Sequence, residues 1–177
     1  YKRQHLSYTF YISGVSRALL QELARHRISS PSVKSTRYTL KELKNETSFT
    51  DGASMVELKK KYTNPTQVYA DEHMQRGSKY LVWTGELGVD FASIVALENL
   101  RLMLVDGVIN DKAKYCLPES YKTELTWSIN ARSLQNFISL RSSKSALWEI
   151  RNLAKLLFET LPKDHQYLFK DCIADQE

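Results

Sequence analysis

Thr123-Glu124-Leu125-Thr126-Trp127-Ser128-Ile129-Asn130-Ala131-Arg132-Ser133-Leu134-Gln135-Asn136-Phe137-Ile138 changes its apolar period part-way along. Up to Ile129 the period is two. Thr123, Leu125, Trp127 and Ile129 fall on one side, and Glu124, Thr126 and Ser128 on the other, which is the pattern of a half-buried strand. Beyond Asn130 the apolar residues Leu134, Phe137 and Ile138 take helical spacing, and Asn130 is suited to cap the new helix. Upstream the same switch occurs once more. Leu6, Tyr8, Phe10 and Ile12 alternate with Ser7, Thr9, Tyr11 and Ser13, then Ser16 precedes a helical run through Leu19, Leu20, Leu23 and Ala24. Strand-into-helix therefore appears twice, far apart in the chain, with mostly helical sequence between. Strands do not alternate with helices often enough for a doubly wound sheet. The expected class is α+β, a small antiparallel sheet packed with several helices.

The rest of the chain is read from its breakers and periods. Pro31 is expected to stop the first helix within Ser29-Ser30-Pro31-Ser32, since a residue before proline leaves the helical region. Arg37 to Leu40 is expected to form a short strand, and residues 44–64 a polar surface loop. Pro65 opens a helix expected to reach about Thr84, closed by Gly85 and Gly88. Asp90 is expected to cap a further helix with Ile94, Leu97, Leu100, Leu104 and Val105 inward and Gly107 just past its end. Asn110 opens a short helix that Leu117-Pro118 ends. Leu147, Ile150, Ala154, Leu157 and Leu161 define a last amphipathic helix that stops at Pro162.

A chain of 177 residues suits one domain, expected over 1–177. The strand-like pattern starts almost at Tyr1, so a segment preceding it is expected to be missing from this sequence. Two cysteines are too few for a disulfide scaffold and suggest a reducing, cytoplasmic setting. Cys116 reads as packing against Tyr115 and Leu117-Pro118, and Cys172 lies near the chain end, so neither is expected to act as a nucleophile. No apolar run approaches the ~20 residues that span a bilayer, and no membrane partner is expected. The net charge of +5 is concentrated: residues 25–44 carry six Lys/Arg against the one acid Glu42, which accounts for all of the excess. Such a confined charge suggests a local anion site rather than a broad nucleic-acid footprint.

Several common sites are absent. There is no G-x-G, hence neither a dinucleotide fingerprint nor a P-loop, and no G-x-S-x-G elbow. His5, His26, His73 and His165 lack ligand spacing, so no metal is expected. Two constellations remain. Arg25-His26-Arg27 is followed by a hydroxyl-rich stretch holding Lys34, Ser35, Arg37 and Tyr38, the donor types a phosphate ester requires. Taken alone, the cluster could simply neutralise a helix C-terminus. Asn130, Arg132 and Asn136, followed by Leu140-Arg141, make a polar Asn/Arg face with no acid in the segment; taken alone, that could be a cap with solvated arginines.

These residues resemble the signature of the flavin-dependent thymidylate synthases (ThyX). R-H-R-x7-S is met by Arg25, His26, Arg27 and Ser35, and S-x-R-Y is completed by Arg37 and Tyr38. The resemblance continues through Tyr115-Cys116-Leu117-Pro118 and from Trp127 to Ile150, including N-A-R-S-L and W-E-I. It covers nearly the whole chain, least well over residues 45–90, and is nearest to epsilonproteobacterial members. The resemblance implies FAD bound without a Rossmann fold, and conversion of dUMP to dTMP with 5,10-methylenetetrahydrofolate as carbon donor and NADPH as reductant. It also implies a homotetramer whose active sites are shared between subunits. Carried over by motif, Arg25, His26, Arg27, Val33, Asn130, Arg132 and Asn136 would contact the flavin. Glu22, Arg25, Ser35, Thr36, Arg37, Lys114 and Arg141 would contact dUMP, with Lys114 where many members have Arg. Arg141 would be the activating residue, favouring ionisation of the uracil at N3. The sequence departs from the pattern at Ser32-Val33, where many members have Asn-Glu, at Gln4-His5 in place of Glu-His, and at Tyr1 in place of a small hydroxyl residue. The reading weighed against this enzyme is a non-catalytic nucleic-acid-binding module using segment 25–44.

Overall fold

The computed structural model describes residues 3–173; Tyr1, and with it one departure from the signature, lies outside them. In chain order the elements are β1 (Ser7–Ser16), α1 (Arg17–Ala24), β2 (Ser29–Val33), α2 (Thr36–Leu43), α3 (Met55–Lys61), α4 (Pro65–Ala70), α5 (Glu72–Gly77), α6 (Leu87–Val105), α7 (Asn110–Ala113), β3 (Lys122–Asn130), α8 (Ala131–Arg141) and α9 (Trp148–Thr160). They group into two compact units, one of residues 1–33 and 124–177, the other of residues 34–123.

In the first unit the strands lie in the order β1-β3-β2. β2 runs antiparallel to β3, with Ser29 opposite Ile129 and Val33 opposite Leu125. Thr9 meets Ser128, and Tyr11 donates to Glu124, so β1 and β3 also run in opposite directions. Most of the expected inward residues are buried; Leu6, Tyr8, Phe10 and Leu20 are partly buried against the same core, whereas Ala24, the last residue of α1, and Leu147, just before α9, are exposed because each stands at a helix end. Ile12, Leu125, Trp127 and Ile129 join Leu19 and Leu23 of α1, Leu134, Phe137 and Ile138 of α8, and Ile150, Ala154 and Leu157 of α9 in one core. Trp127 is fully buried, and its ring meets Phe137 edge to face at 5.0 Å, a favoured aromatic geometry. Both expected caps form: Ser16 accepts from the Leu19 amide and Asn130 from the Ser133 amide.

Residues 29–32 are not merely a break. They form β2, an edge strand, where Pro31 lies opposite Trp127. A proline lacking its N–H is tolerated at an edge.

The second unit is helical and corrects five further expectations. Arg37 to Leu40 is not a strand but lies in α2, because the Ser35 side chain caps the helix and Leu40 and Leu43, three apart, share its buried face. The stretch 44–64 is not all loop: Ser54 and Glu57 build a reciprocal capping box that starts α3. The helix from Pro65 is broken at Asp71, whose extended backbone ends α4 and whose carboxylate caps α5. Asp90 does not cap α6. It lies in the first turn, fully buried, and reaches back to the Thr84 amide and hydroxyl at 2.9 and 2.8 Å, the Gly85 amide at 3.1 Å and the Tyr69 hydroxyl at 2.5 Å. Val105 faces out, while Ile94, Leu97, Leu100 and Leu104 are buried as expected. Gly107 follows α6 at φ +88°, where a side chain would be strained. The core of this unit gathers Leu40, Leu43, Phe49, Phe91, Leu97 and Tyr121 among others.

Among the described residues no helix is long and apolar enough to cross a membrane, and no group of three or more His, Cys, Asp or Glu is arranged to hold a metal. Both thiols are free. Cys116 is exposed, contrary to the packing role expected of it, because it closes a 3₁₀ turn (Lys114–Cys116) at the surface.

Candidate active site

The ends of α1 and α8 enclose a hollow of about 1060 Å³ in the first unit. Its size is at the upper end of small-molecule and cofactor sites. Arg25 ends α1 in helical conformation, and His26 and Arg27 continue from it into β2. Arg132 and Asn136, four apart on α8, face the same space, and Arg141 closes that helix. All six residues line the hollow.

Sequence reasoning missed Arg3, Ile28, Ser133, Gln135 and Leu140, which also line it. Arg3 comes from a 3₁₀ turn (Arg3–His5) and carried no motif signal. Ile28 and Leu140 had a usable signal, since each is a large apolar residue directly beside a signature arginine and is exposed, at 73% and 57%. Arg3, Arg25, Arg27, Arg132 and Arg141 thus surround one space with no carboxylate in its lining. Five cations with amide donors and two exposed apolar side chains suit an anionic, ring-bearing ligand.

Arg141 is the most constrained of the five. Its Nη1 donates to the Glu22 carboxylate at 2.7 Å, its Nη2 to the Glu22 carbonyl at 3.4 Å and its Nε to His26 Nε2 at 3.0 Å. The side chains of Arg141 and Glu22 are 18% and 29% exposed, so the pair is well shielded. Glu22 also meets Arg25 at 3.4 Å, a loose and solvated contact. A guanidinium only donates. His26 Nε2 must therefore be the acceptor, which places the imidazole proton on Nδ1. Burial, and then the Arg141 charge, push the His26 pKa below its ordinary value against the opposing pull of Glu22. The His26 and Phe137 rings pack edge to face, their centroids 4.8 Å apart.

Two sequence-derived residues lie elsewhere in the first unit. Val33 ends β2, and Asn130 uses its side-chain oxygen as the cap of α8; neither lines the hollow. The remaining nucleotide candidates belong to the second unit. Ser35 caps α2, with Thr36 and Arg37 in its first turn. Arg37 and Lys114 converge on one carboxylate oxygen of Asp111, at 3.8 and 3.9 Å. The structure thus brings Arg37 and Lys114 together, as it brings Arg25, His26, Arg27, Arg132, Asn136 and Arg141 together around the hollow.

Residues 3–165 match the family model described as thymidylate synthase complementing protein. The chain belongs to the flavin-dependent thymidylate synthase family. It is 60% identical over 170 residues to the flavin-dependent thymidylate synthase of Campylobacter jejuni, covering 96% of this chain and 72% of that one. The corresponding enzyme of Wolinella succinogenes is 61% identical over 166 residues, covering 94% and 72%. Among solved structures, the Helicobacter pylori flavin-dependent thymidylate synthase complexed with FAD and dUMP superposes with a TM-score of 0.84 at 50% identity, covering 97% of this chain and 75% of that one. The fold class and the epsilonproteobacterial resemblance are borne out. The nucleic-acid reading finds no support among these relatives, which are thymidylate synthases.

Proposed function

We propose that this member of the flavin-dependent thymidylate synthase family converts dUMP to dTMP with FAD as cofactor, 5,10-methylenetetrahydrofolate as carbon donor and NADPH as reductant. The observation that carries the reading is the five-arginine hollow with no carboxylate in its lining. Its donor set fits FAD: a diphosphate needs fixed cations and N–H donors, and a ring system needs exposed apolar surface such as Ile28 and Leu140. When bound, FAD supplies the redox chemistry of the reduction.

The chain's own residues bind, orient and polarise. Arg25, His26, Arg27, Arg132 and Asn136 are the flavin contacts, with Asn130 fixing the start of the helix that presents two of them; Val33, which does not line this hollow, meets a flavin held by a neighbouring subunit. Ser35, Thr36, Arg37 and Lys114 hold dUMP, with the Ser35 hydroxyl and the first-turn amides of α2 on its phosphate. Asp111 holds the Arg37 and Lys114 side chains near one another until a phosphate replaces it as their partner. Arg141 stabilises the negative charge that develops on the uracil when N3 loses its proton, an effect worth roughly 3–4 kcal/mol in a water-poor site. No cysteine takes part. Residues 1–177 act as one catalytic domain of a cytoplasmic homotetramer with shared sites, because a chain this small has little room to enclose three ligands alone. Light scattering is expected to give four chains per particle.

The test is direct. Purified protein is expected to be yellow, to change its flavin absorbance on addition of dUMP, and to form dTMP when the folate and NADPH are supplied. Colourless protein that stays inactive after incubation with FAD would overturn the reading.

A further inference from the structure

Glu22 and Arg141 are separated by 119 residues in sequence and meet through two contacts, one to the carboxylate and one to the backbone carbonyl. The backbone contact matters, because it ties the guanidinium to the path of α1 and not only to a movable side chain. His26 holds the third nitrogen from the other side, and its own ring is fixed against Phe137. A guanidinium has five N–H donors. Three are engaged here, which leaves two: one on Nη1 and one on Nη2. Arg25 and Arg132, by contrast, have no contact of comparable length to an acid among the described residues. Arg25 reaches Glu22 only at 3.4 Å with its side chain 73% exposed, a pair of the kind that contributes little.

We propose that Glu22 is a positioning residue for Arg141: its carboxylate and carbonyl, with His26 opposite, hold the guanidinium in one orientation and leave one N–H on each terminal nitrogen for the substrate. Glu22 then acts through Arg141 instead of binding dUMP itself, which changes the role the family resemblance implies for it. The clamp also prevents Arg141 from swinging towards solvent when the site is empty, so orientation is established before substrate arrives. The carboxylate cannot be replaced by an amide of the same shape without loss, because an amide oxygen is a weaker partner for a guanidinium than a charged one.

This inference rests on the proposed function only for its kinetic arm. In the first arm, solvent exchange of the Arg141 Nε–H is followed by NMR in the protein as purified, before any dUMP is added. Wild type is expected to be protected by about tenfold or more over a free arginine, and Glu22→Gln to lose most of that protection. Equal protection in Glu22→Gln would overturn the clamp. Glu22→Asp, which keeps the charge but withdraws it by one methylene, is expected to behave likewise and serves if the amide variant folds poorly. In the second arm, Glu22→Gln, Arg141→Lys and the double variant are compared in dTMP formation. Glu22→Gln is expected to lower kcat about tenfold or more while moving KM for dUMP less than about threefold. The double variant is expected to fall within about twofold of Arg141→Lys, since two residues acting through one group are not additive. An effect of Glu22→Gln confined to KM, and undiminished in the Arg141→Lys background, would show a direct substrate contact and overturn the proposal. Wild type that forms no dTMP would sink the proposed function while leaving the exchange arm to decide the clamp.

Discussion

At Arg141 charge and shape can be separated by a single substitution. As the last residue of α8 it would, by charge alone, favour the helix C-terminus by about 0.3–1 kcal/mol. Lysine would do that equally well. The observed side chain instead turns its planar fork to Glu22 and His26. Arg141→Lys is therefore expected to keep the fold and the flavin content while turnover falls about 10²–10³-fold, the equivalent of roughly 3–4 kcal/mol. Wild-type turnover in that variant, followed as dUMP-dependent flavin oxidation, would remove Arg141 from the chemistry. His26 makes a second statement at this scale. Its folded-state pKa is lowered by burial and by Arg141, so the unfolded chain takes up a proton first as pH falls. Stability is then fully present above about pH 6.5 and declines as the pH drops from there towards the folded value. Chemical denaturation at a series of pH values is expected to show that slope, and His26→Gln to flatten it.

Among the elements, the corner from β1 into α1 depends on a residue from a third one. Gly14 bends the end of β1 at φ +71°, and Ser16 then serves both as cap and as donor. Its amide gives a hydrogen bond to Glu149 at the start of α9 at 2.8 Å, and its hydroxyl donates to the other oxygen of the same carboxylate. Glu149→Ala would leave the amide of the buried Ser16 without an acceptor, a loss of roughly 2–3 kcal/mol. Thermal unfolding is expected to shift down by about 5–10 °C, and an unchanged Tm would show that the corner is held by packing alone. Elements governed by neighbours in sequence were legible: β1, β3, α8, α9 and the caps Ser16 and Asn130 all follow from local period and a single capping residue. Those governed by distant partners were not. Ser29–Val33 becomes a strand only because β3 offers its edge. The break at Asp71 is a different case: its carboxylate caps α5 at the His73 amide two residues on, a local signal hidden inside a longer helical run. The site divides in the same way. Arg25, His26, Arg27, Arg132, Asn136 and Arg141 sit in short motifs that survive reading in one dimension. The Glu22–Arg141 bond and the entry of Arg3 join positions that no spacing rule connects.

For the molecule as a whole, the second unit is an insertion of about ninety residues between two paired strands. Val33, where the chain leaves the first unit, is the register partner of Leu125, close to where it returns. Folding of the first unit therefore pins both ends of the insertion, and this removes part of the entropy the inserted chain would otherwise keep. Residues 1–177 are accordingly expected to unfold in one transition, with calorimetric and van't Hoff enthalpies equal. Two resolved transitions would mean that the units are energetically separate.

A ladder of rings within the first unit has an optical consequence. His26 rests on Phe137, Phe137 on Trp127, and Trp127 lies 6.5 Å from Phe10. Trp127 is fully buried, and its indole nitrogen has no hydrogen-bond partner, whereas Trp148 is 39% exposed. Its emission is expected at the blue end of the indole range and out of reach of aqueous quenchers, while that of Trp148 is quenched. Because the Phe137 ring touches both Trp127 and the His26 that lines the hollow, the indole is expected to serve as a built-in fluorescent probe of events there. Filling of the hollow can be followed by light emitted from the core, without a label.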